Sequence, residues 1–384
     1  MDYSVITHQS ILANAKEVKE LGTWIYNHPE SALKEYETCN HLMDFYKSKG
    51  FEVEGNLCGL DTAFRAIKRN GAGRRVCLMA EYDALPGIGH ACGHHLIASM
   101  CTSTALAIAN ALDNGLEGEV AIVGAPAEET GQGKPVLCDG GIYDGFDAAI
   151  SLHPYTKNIS KPDWIAIGGI DFTFTGKASH AGTKPDEGVN ALDALFVFYT
   201  SFSALRQQLR DGTRIHGIIT EGGSAANIIP DLSRIRLEFR SNDQRYFEEV
   251  VEKVINCAKG AALATGCELE YHHYEPTCQG VTHNSVLLTE YEEQLKKHGL
   301  PISDDYMLGS TDVGNVSTIV PTIHPLYQVC EGDYSLHTPE FLKATIQEEA
   351  FEKSFIGAEI MTDVLLKVLT DDEFAKKARV ELER

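Results

Sequence analysis

The fold is decided by residues 75–112, RVCLMAEYDALPGIGHACGHHLIASMCTSTALAIANAL. The run RVCLMA at 75–80 has the length and apolar content of a buried strand. The segment 96–112 is rich in alanine and apolar on most faces, which predicts a buried helix. A third apolar run, EVAIVGA at 119–125, predicts the next strand. A strand, a buried helix and a second strand are typical of an α/β fold with a mostly parallel sheet.

The rest of the first half extends this α/β pattern. Helical spacing of apolar residues covers 10–27 and 35–49, and the second of these helices ends at Gly50, a residue suited to a helix C-terminus. A further short apolar run at 148–152 predicts another strand. We therefore expect a first domain in which a mostly parallel, mixed sheet is flanked by helices.

The pattern changes near residue 166, where amphipathic strands begin. The predicted strands are 165–175, 214–220, 234–239 and 267–273, and the predicted helices are about 187–210, 243–265, 284–298 and 339–369. Within this stretch, the order strand–helix–strand–strand–helix–strand is that of a ferredoxin-like α+β module. We place this inserted domain at 168–276. The first domain then comprises 1–167 and 277–384.

The composition excludes some classes of function. The chain has 384 residues and a net charge of −22, because 55 Asp+Glu outnumber 33 Lys+Arg. This acidity disfavours nucleic acid and anionic membranes as partners, since both are bound mainly by cationic side chains. The ten cysteines are scattered without C-x-x-C spacing, which favours free thiols in a reducing compartment. With no secretory leader and no apolar run of membrane-spanning length, we expect a cytoplasmic protein.

Acidic and imidazole side chains directly follow the three strands predicted in the first domain. Glu81-Tyr82-Asp83 follows the first strand, Pro126-Ala127-Glu128-Glu129 the second, and His153-Pro154 the third. In open α/β sheets, ligands bind beyond the carboxyl ends of the strands. We therefore expect these three groups to line one crevice.

A cysteine and three histidines, in His90-Ala91-Cys92-Gly93-His94-His95, precede the buried helix at the same crevice. Thiolate and imidazole are good ligands for a borderline-soft divalent ion. Cys92 and His94 lie two apart around a glycine and can point the same way. The alternative is a buried cysteine beside surface histidines. We favour metal binding because the cluster lies next to the strand ends.

The paired carboxylates Glu128 and Glu129 have two interpretations. Adjacent side chains diverge after a strand, so one carboxylate can hold a metal ion while the other acts as general base on the attacking water. The alternative is a pair of solvated loop carboxylates. Asp83 can orient an imidazole. His337 stands just before Thr-Pro, which fit an N-cap and a first helical position, so this imidazole is fixed at the start of a helix.

Five separated motifs resemble those of the M20 family of co-catalytic metallopeptidases and amidohydrolases. They are YDALP at 82–86, HACGH at 90–94, PAEE at 126–129, His153-Pro154 and HTPEF at 337–341. GIGHACGH, GSTDVGNVS at 309–317 and TIHP at 322–325 are similar to the branch of p-aminobenzoyl-glutamate hydrolases and related dipeptidases. The resemblance spans nearly the whole chain. Gly131-Gln132-Gly133-Lys134, in contrast, looks like a phosphate-binding loop only superficially.

The resemblance implies roles for residues of the first domain. The implied metal ligands are Cys92, His94, Glu129, His153 and His337. Glu128 becomes the general base, and Asp83 supports the metal pair. His95 departs from the family, which usually has Asp or Asn at this position, and we do not assign it as a ligand.

The resemblance also implies that the inserted domain is a lid that dimerises. On it, Ser179-His180-Ala181-Gly182 matches the motif whose histidine, here His180, reaches the partner's active site and steadies the oxyanion. Asn227 and Arg240 match positions that bind the carboxylate end of the substrate. A guanidinium suits this task because it pairs with a carboxylate through two hydrogen bonds.

Residues and resemblance together predict a dinuclear, metal-dependent hydrolase of amide bonds. Expected substrates are N-acyl amino acids, aryl-amide conjugates or dipeptides with a free carboxylate, and the expected partner is a second copy of the chain in a homodimer. The cysteine favours zinc, while manganese, cobalt and nickel remain open. The alternative from another class is a non-catalytic binding or scaffold protein, and a metal-storage role is the third. Retention of every ligand and of Glu128 favours the enzyme.

Overall fold

The buried helix that the sequence predicts is present as His94–Asp113 in the computed structural model, which describes residues 2–383. Nearly all of its residues are buried. By length and composition this helix is apolar enough to cross a membrane, but 94% of its apolar window is buried inside the protein. It is therefore packed as an internal helix.

The helices and strands alternate through most of the chain. The helices are α1 (Tyr3–Asn27), α2 (Tyr36–Ser48), α3 (His94–Asp113), α4 (Gly133–Asp139), α5 (Ala191–Leu205), α6 (Gln244–Thr265), α7 (Ser285–Lys297), α8 (Val313–Ser317), α9 (Pro339–Thr345), α10 (Glu348–Thr370) and α11 (Asp372–Leu382). The strands are β1 (Glu52–Leu57), β2 (Leu60–Asn70), β3 (Arg75–Ala80), β4 (Gly118–Gly124), β5 (Ala148–Ile150), β6 (His153–Tyr155), β7 (Asp163–Trp164), β8 (Ala166–Thr175), β9 (Arg214–Glu221), β10 (Leu232–Ser241), β11 (Glu268–His273), β12 (Leu308–Gly309), β13 (Thr322–Ile323) and β14 (Leu326–Gln328).

The largest sheet has six strands in the order β1-β2-β4-β3-β5-β13. Strand β3 is parallel to both β4 and β5, and β13 is parallel to β5. Strand β2 is antiparallel to β1 and β4. The sheet is thus mixed but mostly parallel, which confirms the predicted fold class. Because β3, β4 and β5 are parallel neighbours, their carboxyl ends share one edge of the sheet.

Two parts of the secondary structure differ from the sequence prediction. The hairpin β1–β2 was missed because β1 is mostly exposed and carries glutamates, a glycine and an asparagine, which are depleted in strands. The helix predicted at 339–369 is instead two helices, α9 and α10. The chain leaves the helical conformation at Gln347, where φ is −70° and ψ is 158°. The Glu-Glu pair that follows favours a new helix N-terminus.

The described residues form two compact units. Unit 1 runs up to Asp163 and resumes at Val281, and unit 2 is Trp164–Gly280. The sequence prediction placed these boundaries at 167 and 277. In unit 1 the main apolar core lies among α1, α2, α3, α7, α10 and one face of the largest sheet.

Unit 2 is built on an antiparallel sheet with the strand order β11-β8-β10-β9. Helices α5 and α6 pack on one face of this sheet, and the buried side chains of β10 at Ile235, Leu237 and Phe239 belong to that core. The alternating residues, including Glu238 and Arg240, lie on the other face. The order β8-α5-β9-β10-α6-β11 is the predicted ferredoxin-like one.

Candidate metal centre

The structure brings all five predicted ligand side chains together in unit 1. One set with ligand atoms within 4.8 Å of one another consists of Cys92, His94 and His153, and a second consists of Cys92, Glu129 and His337. The Cys92 Sγ atom lies 3.3 Å from His153 Nε2, and His337 Nε2 lies 3.5 Å from Glu129 Oε2. The two sets share the thiol of Cys92. Three strand ends and the starts of two helices therefore converge on one cluster.

Backbone geometry fixes the cysteine and histidine at the start of α3. Gly93 lies between Cys92 and His94 with φ +88°, a left-handed conformation that favours glycine. A Cβ atom at Gly93 would also lie 3.0 Å from the Cβ atom of Pro154. The glycine therefore lets the Cys92 segment pass close to the segment that carries His153.

His337 is also held by its backbone. Its φ is +63°, which is uncommon for a residue other than glycine, and its N–H donates to the carbonyl of Ala91 at 3.0 Å. Thr338 caps α9 by accepting the N–H of Phe341, and Pro339 is the first helical residue, as predicted. Strained conformations of this kind are concentrated at functional sites.

Asp83 orients two of the cluster's residues. One carboxylate oxygen lies 3.1 Å from His94 Nδ1, and the other accepts the backbone N–H of Glu129 at 3.0 Å. The backbone carbonyl of Asp83 also faces His94 Nδ1, at 2.9 Å. Two acceptors at Nδ1 place the proton there, so Nε2 presents its lone pair to the cluster.

The loop that carries Glu128 and Glu129 is tightly folded. Ala127 precedes it with φ +60°, and the Ala127 N–H donates to Glu35 Oε1 at 2.9 Å. The carbonyl of Ala127 accepts the N–H of Gln132 at 3.1 Å. Glu128–Thr130 form a single 3₁₀ turn inside these contacts. The two carboxylates are consequently fixed by backbone hydrogen bonds, not solvated on a loose loop.

Burial shifts the proton affinities of the cluster. Desolvation raises the pKa of Glu128 well above its usual range, and the charge of Glu81 adds to the effect. Desolvation also raises the pKa of the Cys92 thiol well above its usual range. Burial lowers the pKa of His153 to about 4. A buried thiol, neutral imidazoles and carboxylates are together the donor set that a divalent cation requires.

The residues fit a metal on a second observation. Within residues 2–383, His94 Nε2 and Glu129 Oε1 are buried atoms without a hydrogen-bond partner. Buried polar atoms are almost always satisfied, so orphaned lone pairs that face one another indicate a ligand. Sulfur, imidazole nitrogen and carboxylate oxygen are the donors of zinc sites. A third set of close ligand atoms consists of Glu81, His94 and Glu128.

His95 lies apart from these sets. It is wholly buried, its Nε2 atom lies 3.2 Å from the carbonyl of Thr345, and its ring packs against Tyr26 and Phe351. Burial lowers the pKa of His95 to about 3. The imidazole thus serves helix packing beside the centre, although it follows His94 directly in the sequence.

The three predicted residues of the inserted domain lie in unit 2. His180 and Asn227 are exposed and belong to adjacent segments, because the N–H of Ala181 donates to the carbonyl of Asn227 at 3.0 Å. Arg240 lies on β10, where its Nε atom donates to Glu238 Oε1 at 2.9 Å.

Sequence reasoning missed three charged residues next to the cluster. Glu81, Lys134 and Asp312 are wholly buried, and the Lys134 ammonium lies 2.7 Å from Glu81 Oε1 and 2.5 Å from Asp312 Oδ1. Glu81 stood at a predicted strand end, and Asp312 lay in the GSTDVGNVS motif, so both had a signal. Lys134 had none apart from the discounted Gly-Gln-Gly-Lys run.

Comparisons with known proteins agree with this architecture. Residues 166–265 match the M20 family model described as a peptidase dimerisation domain. The chain is 37% identical over 354 residues to a Xaa-Arg dipeptidase of Mus musculus, covering 88% of this chain and 82% of that protein. It is 28% identical over 313 residues to one of the two chains of the p-aminobenzoyl-glutamate hydrolase of Escherichia coli, covering 76% of this chain and 64% of that one. Its fold matches that of a dinuclear metal-binding M20 peptidase from Bacillus subtilis, with a TM-score of 0.70 at 20% identity over 92% of this chain and 99% of that one.

Proposed function

Because this chain belongs to the M20 peptidase family, in the branch of the Xaa-Arg dipeptidases and the p-aminobenzoyl-glutamate hydrolases, we propose that it is a dinuclear dipeptidase. The chain is a metal-dependent hydrolase of peptide or amide bonds. The proposal concerns the number of ions, the general base and the substrate. The observation that carries it is the convergence of five ligand side chains on the ends of three strands and the starts of two helices.

Two ions would be held by the two overlapping ligand sets. His94 and His153 would serve one ion, Glu129 and His337 would serve the other, and Cys92 is common to both sets. When bound, such ions polarise the scissile carbonyl and lower the pKa of water toward neutrality. The thiolate makes zinc the first choice, and manganese, cobalt and nickel remain candidates because selectivity depends on geometry and supply.

Glu128 is the proposed general base. Its carboxylate lies 3.6 Å from His94 Nε2, and burial raises its pKa well above the usual range. A carboxyl group with a raised pKa can take a proton from the attacking water and return it to the leaving amine. Asp83 supports this transfer indirectly, because it fixes both His94 and the backbone of Glu129.

The proposed first-choice substrate is a dipeptide with a free carboxylate and a basic C-terminal residue. The named specificity of the mouse relative supports this choice. Arg240 and Asn227 would bind the substrate carboxylate. Glu238, which accepts from Arg240 at 2.9 Å, adds a carboxylate next to that guanidinium, as a basic side chain would require. N-acyl amino acids and aryl-amide conjugates of glutamate are the second choice.

Unit 2 is the proposed lid and the proposed surface of a homodimer. Its match to a peptidase dimerisation domain supports this role. Helix α5 also exposes Phe196, Val197 and Tyr199, large apolar side chains of the kind that a subunit interface covers. In such a dimer, His180 of one protomer would stabilise the oxyanion in the site of the other.

A cytoplasmic enzyme is the setting that fits the ten free cysteines. The alternative function, a non-catalytic binding or scaffold protein, would leave the buried base and its tightly folded loop without a task.

A substrate panel tests the proposed function. We expect zinc-loaded protein to cleave dipeptides ending in Arg or Lys with the highest kcat/KM, and to cleave p-aminobenzoyl-glutamate and N-acetyl amino acids more slowly. Dipeptides with an amidated C-terminus serve as the matched control, and they should be poor substrates because Arg240 would lose its carboxylate partner. Full metal occupancy without turnover of any member of the panel would contradict the enzyme proposal.

Mixed dimers test the role of His180. In a heterodimer of His180→Ala and Glu128→Ala chains, one site keeps its own Glu128 and receives an intact His180 from the other protomer. We therefore expect about half the wild-type activity per heterodimer, whereas each homodimer is nearly inactive.

His272→Ala is the matched control for this experiment, because His272 is an exposed histidine of the same unit. This variant should retain wild-type activity. Absence of recovery in purified heterodimers would mean that His180 acts within its own chain or not at all.

A further inference from the structure

Lys134 is a wholly buried lysine that the proposed reaction does not use. Its ammonium lies between two buried carboxylates, 2.5 Å from Asp312 and 2.7 Å from Glu81. Burial disfavours an ammonium ion, but the two carboxylates outweigh that effect and raise the pKa of Lys134. An unpaired charge at such a depth is strongly destabilising, so this side chain depends on both partners.

Asp312 holds Lys134 at two points. One carboxylate oxygen receives the ammonium, and the other accepts the backbone N–H of Lys134 at 2.9 Å. The side chain of Lys134 therefore forms a closed ring with Asp312, and it cannot rotate away without breaking two contacts. Its ammonium also extends this grip to Glu81, which follows strand β3 directly.

Lys134 stands at the end of the loop that carries the two catalytic-centre carboxylates. The loop closes at Gly133, where a Cβ atom would lie 1.9 Å from the carbonyl oxygen of Pro126. Its other end is fixed at Ala127, whose N–H donates to Glu35. Between these two anchors lie Glu128 and Glu129. The position of both carboxylates consequently depends on what holds residue 134.

We propose that Lys134 is a positioning residue that ties Asp312 to Glu81 and thereby locks the loop carrying Glu128 and Glu129. The inference rests on the proposed function, in which Glu128 is the base and Glu129 a ligand. It goes beyond that function by giving the buried ion triad a task in catalysis. Glu81 Oε2 lies 3.7 Å from His94 Nε2, so the triad borders the cluster directly.

The competing explanation is that Lys134 only neutralises two buried acids. The double variant Lys134→Met/Asp312→Asn separates the two explanations. It removes one positive and one negative charge, so the triad keeps its net charge of minus one, and methionine keeps the length of the apolar stem. Under the competing explanation this variant should recover both stability and activity. Under our proposal it should recover stability alone, because the link between the loop and Glu81 is gone.

Three measurements on each variant decide the question. These are the melting temperature, kcat and KM at saturating zinc on the best dipeptide of the panel, and the zinc-binding isotherm of the metal-free protein. We expect the double variant to melt near the wild type, with kcat about 100-fold lower and KM changed less than about threefold, since small displacements of catalytic groups have effects of this size. Zinc binding should weaken about tenfold for one equivalent, because Glu129 is held less firmly.

Two more variants complete the test. Asp312→Asn alone keeps the Lys134–Glu81 pair, and we expect a smaller loss in kcat, about tenfold. Lys157→Met is the matched control, since Lys157 forms an exposed pair with Asp305 at 2.5 Å, and it should leave all three measurements unchanged. Wild-type kcat and a wild-type zinc isotherm in the double variant would overturn the proposal. An inactive wild type would overturn the proposed function instead, and the zinc isotherms would still test Lys134.

Discussion

Glu128→Gln is expected to lower kcat by about 10⁴-fold, the upper part of the range for loss of a general base. The amide has nearly the shape of the carboxylate, so the loop should keep its fold, but it cannot accept a proton from water. Zinc content and KM should stay close to the wild-type values, because the five ligands remain in place. Steady-state kinetics and elemental analysis of the same preparation measure the three quantities together.

Glu331→Gln is the control for this variant, because Glu331 is an exposed carboxylate of the same unit. It should leave kcat unchanged. If Glu128→Gln instead loses zinc along with activity, Glu128 acts as a ligand, a result that the close set of Glu81, His94 and Glu128 would then explain. If it keeps both zinc and turnover, the base lies elsewhere.

The short motifs made much of the centre predictable. Cys92 and His94 lie two residues apart at the start of a helix, and His153 follows a strand, so residue chemistry and secondary structure coincide in a few positions. The α/β pattern then places the strand ends at one edge of the sheet, because parallel strands share that edge. The ligands could thus be found without knowing their distances.

The support beneath the ligands could not be predicted in this way. Lys134 and Asp312 are 178 residues apart in the sequence, and only the folded chain makes them partners. Ala127 adopts a positive φ although alanine has no preference for that region. Glu35 holds this residue from a distant segment, and nothing in its own neighbourhood marks it. Such contacts depend on packing between elements, which local patterns do not encode.

The residues of unit 2 show a different limit of sequence reasoning. His180 lies on an exposed segment, where neither periodicity nor burial distinguishes it from its neighbours. Its predicted role came from the family resemblance alone. The sheet beneath it, in contrast, followed from the alternation of β10, where every second residue is buried. Fold and function were therefore predictable to different degrees within one small domain.

Cys92 is expected to be the ligand whose loss has the largest effect on metal content. Its Sγ atom belongs to both ligand sets, so Cys92→Ala leaves each set with only two donors. We expect the variant to retain little zinc after dialysis and to lose activity by more than about 10³-fold, because both the polarising charge and the activated water depend on bound metal. Elemental analysis and kcat measurements check the two effects.

The pKa of Cys92 adds a second, independent measurement. Burial raises the pKa of this thiol well above its usual range, so the metal-free protein holds it protonated at neutral pH. Zinc binds the thiolate, and binding must therefore release that proton. Zinc affinity should accordingly rise with pH in the wild type, and calorimetry in buffers of different ionisation enthalpy should detect the released proton. In Cys92→Ala both the release and this part of the pH dependence should disappear.

Cys330→Ala is the matched control, because Cys330 is a buried thiol of unit 1 outside all three ligand sets. It should bind zinc with wild-type stoichiometry and release the same proton. Equal zinc content in the Cys92→Ala and Cys330→Ala proteins would show that His94, His153, Glu129 and His337 hold the metal without the thiol. In that case the preference for zinc would lose its chemical basis, since imidazole and carboxylate alone suit manganese and cobalt equally well.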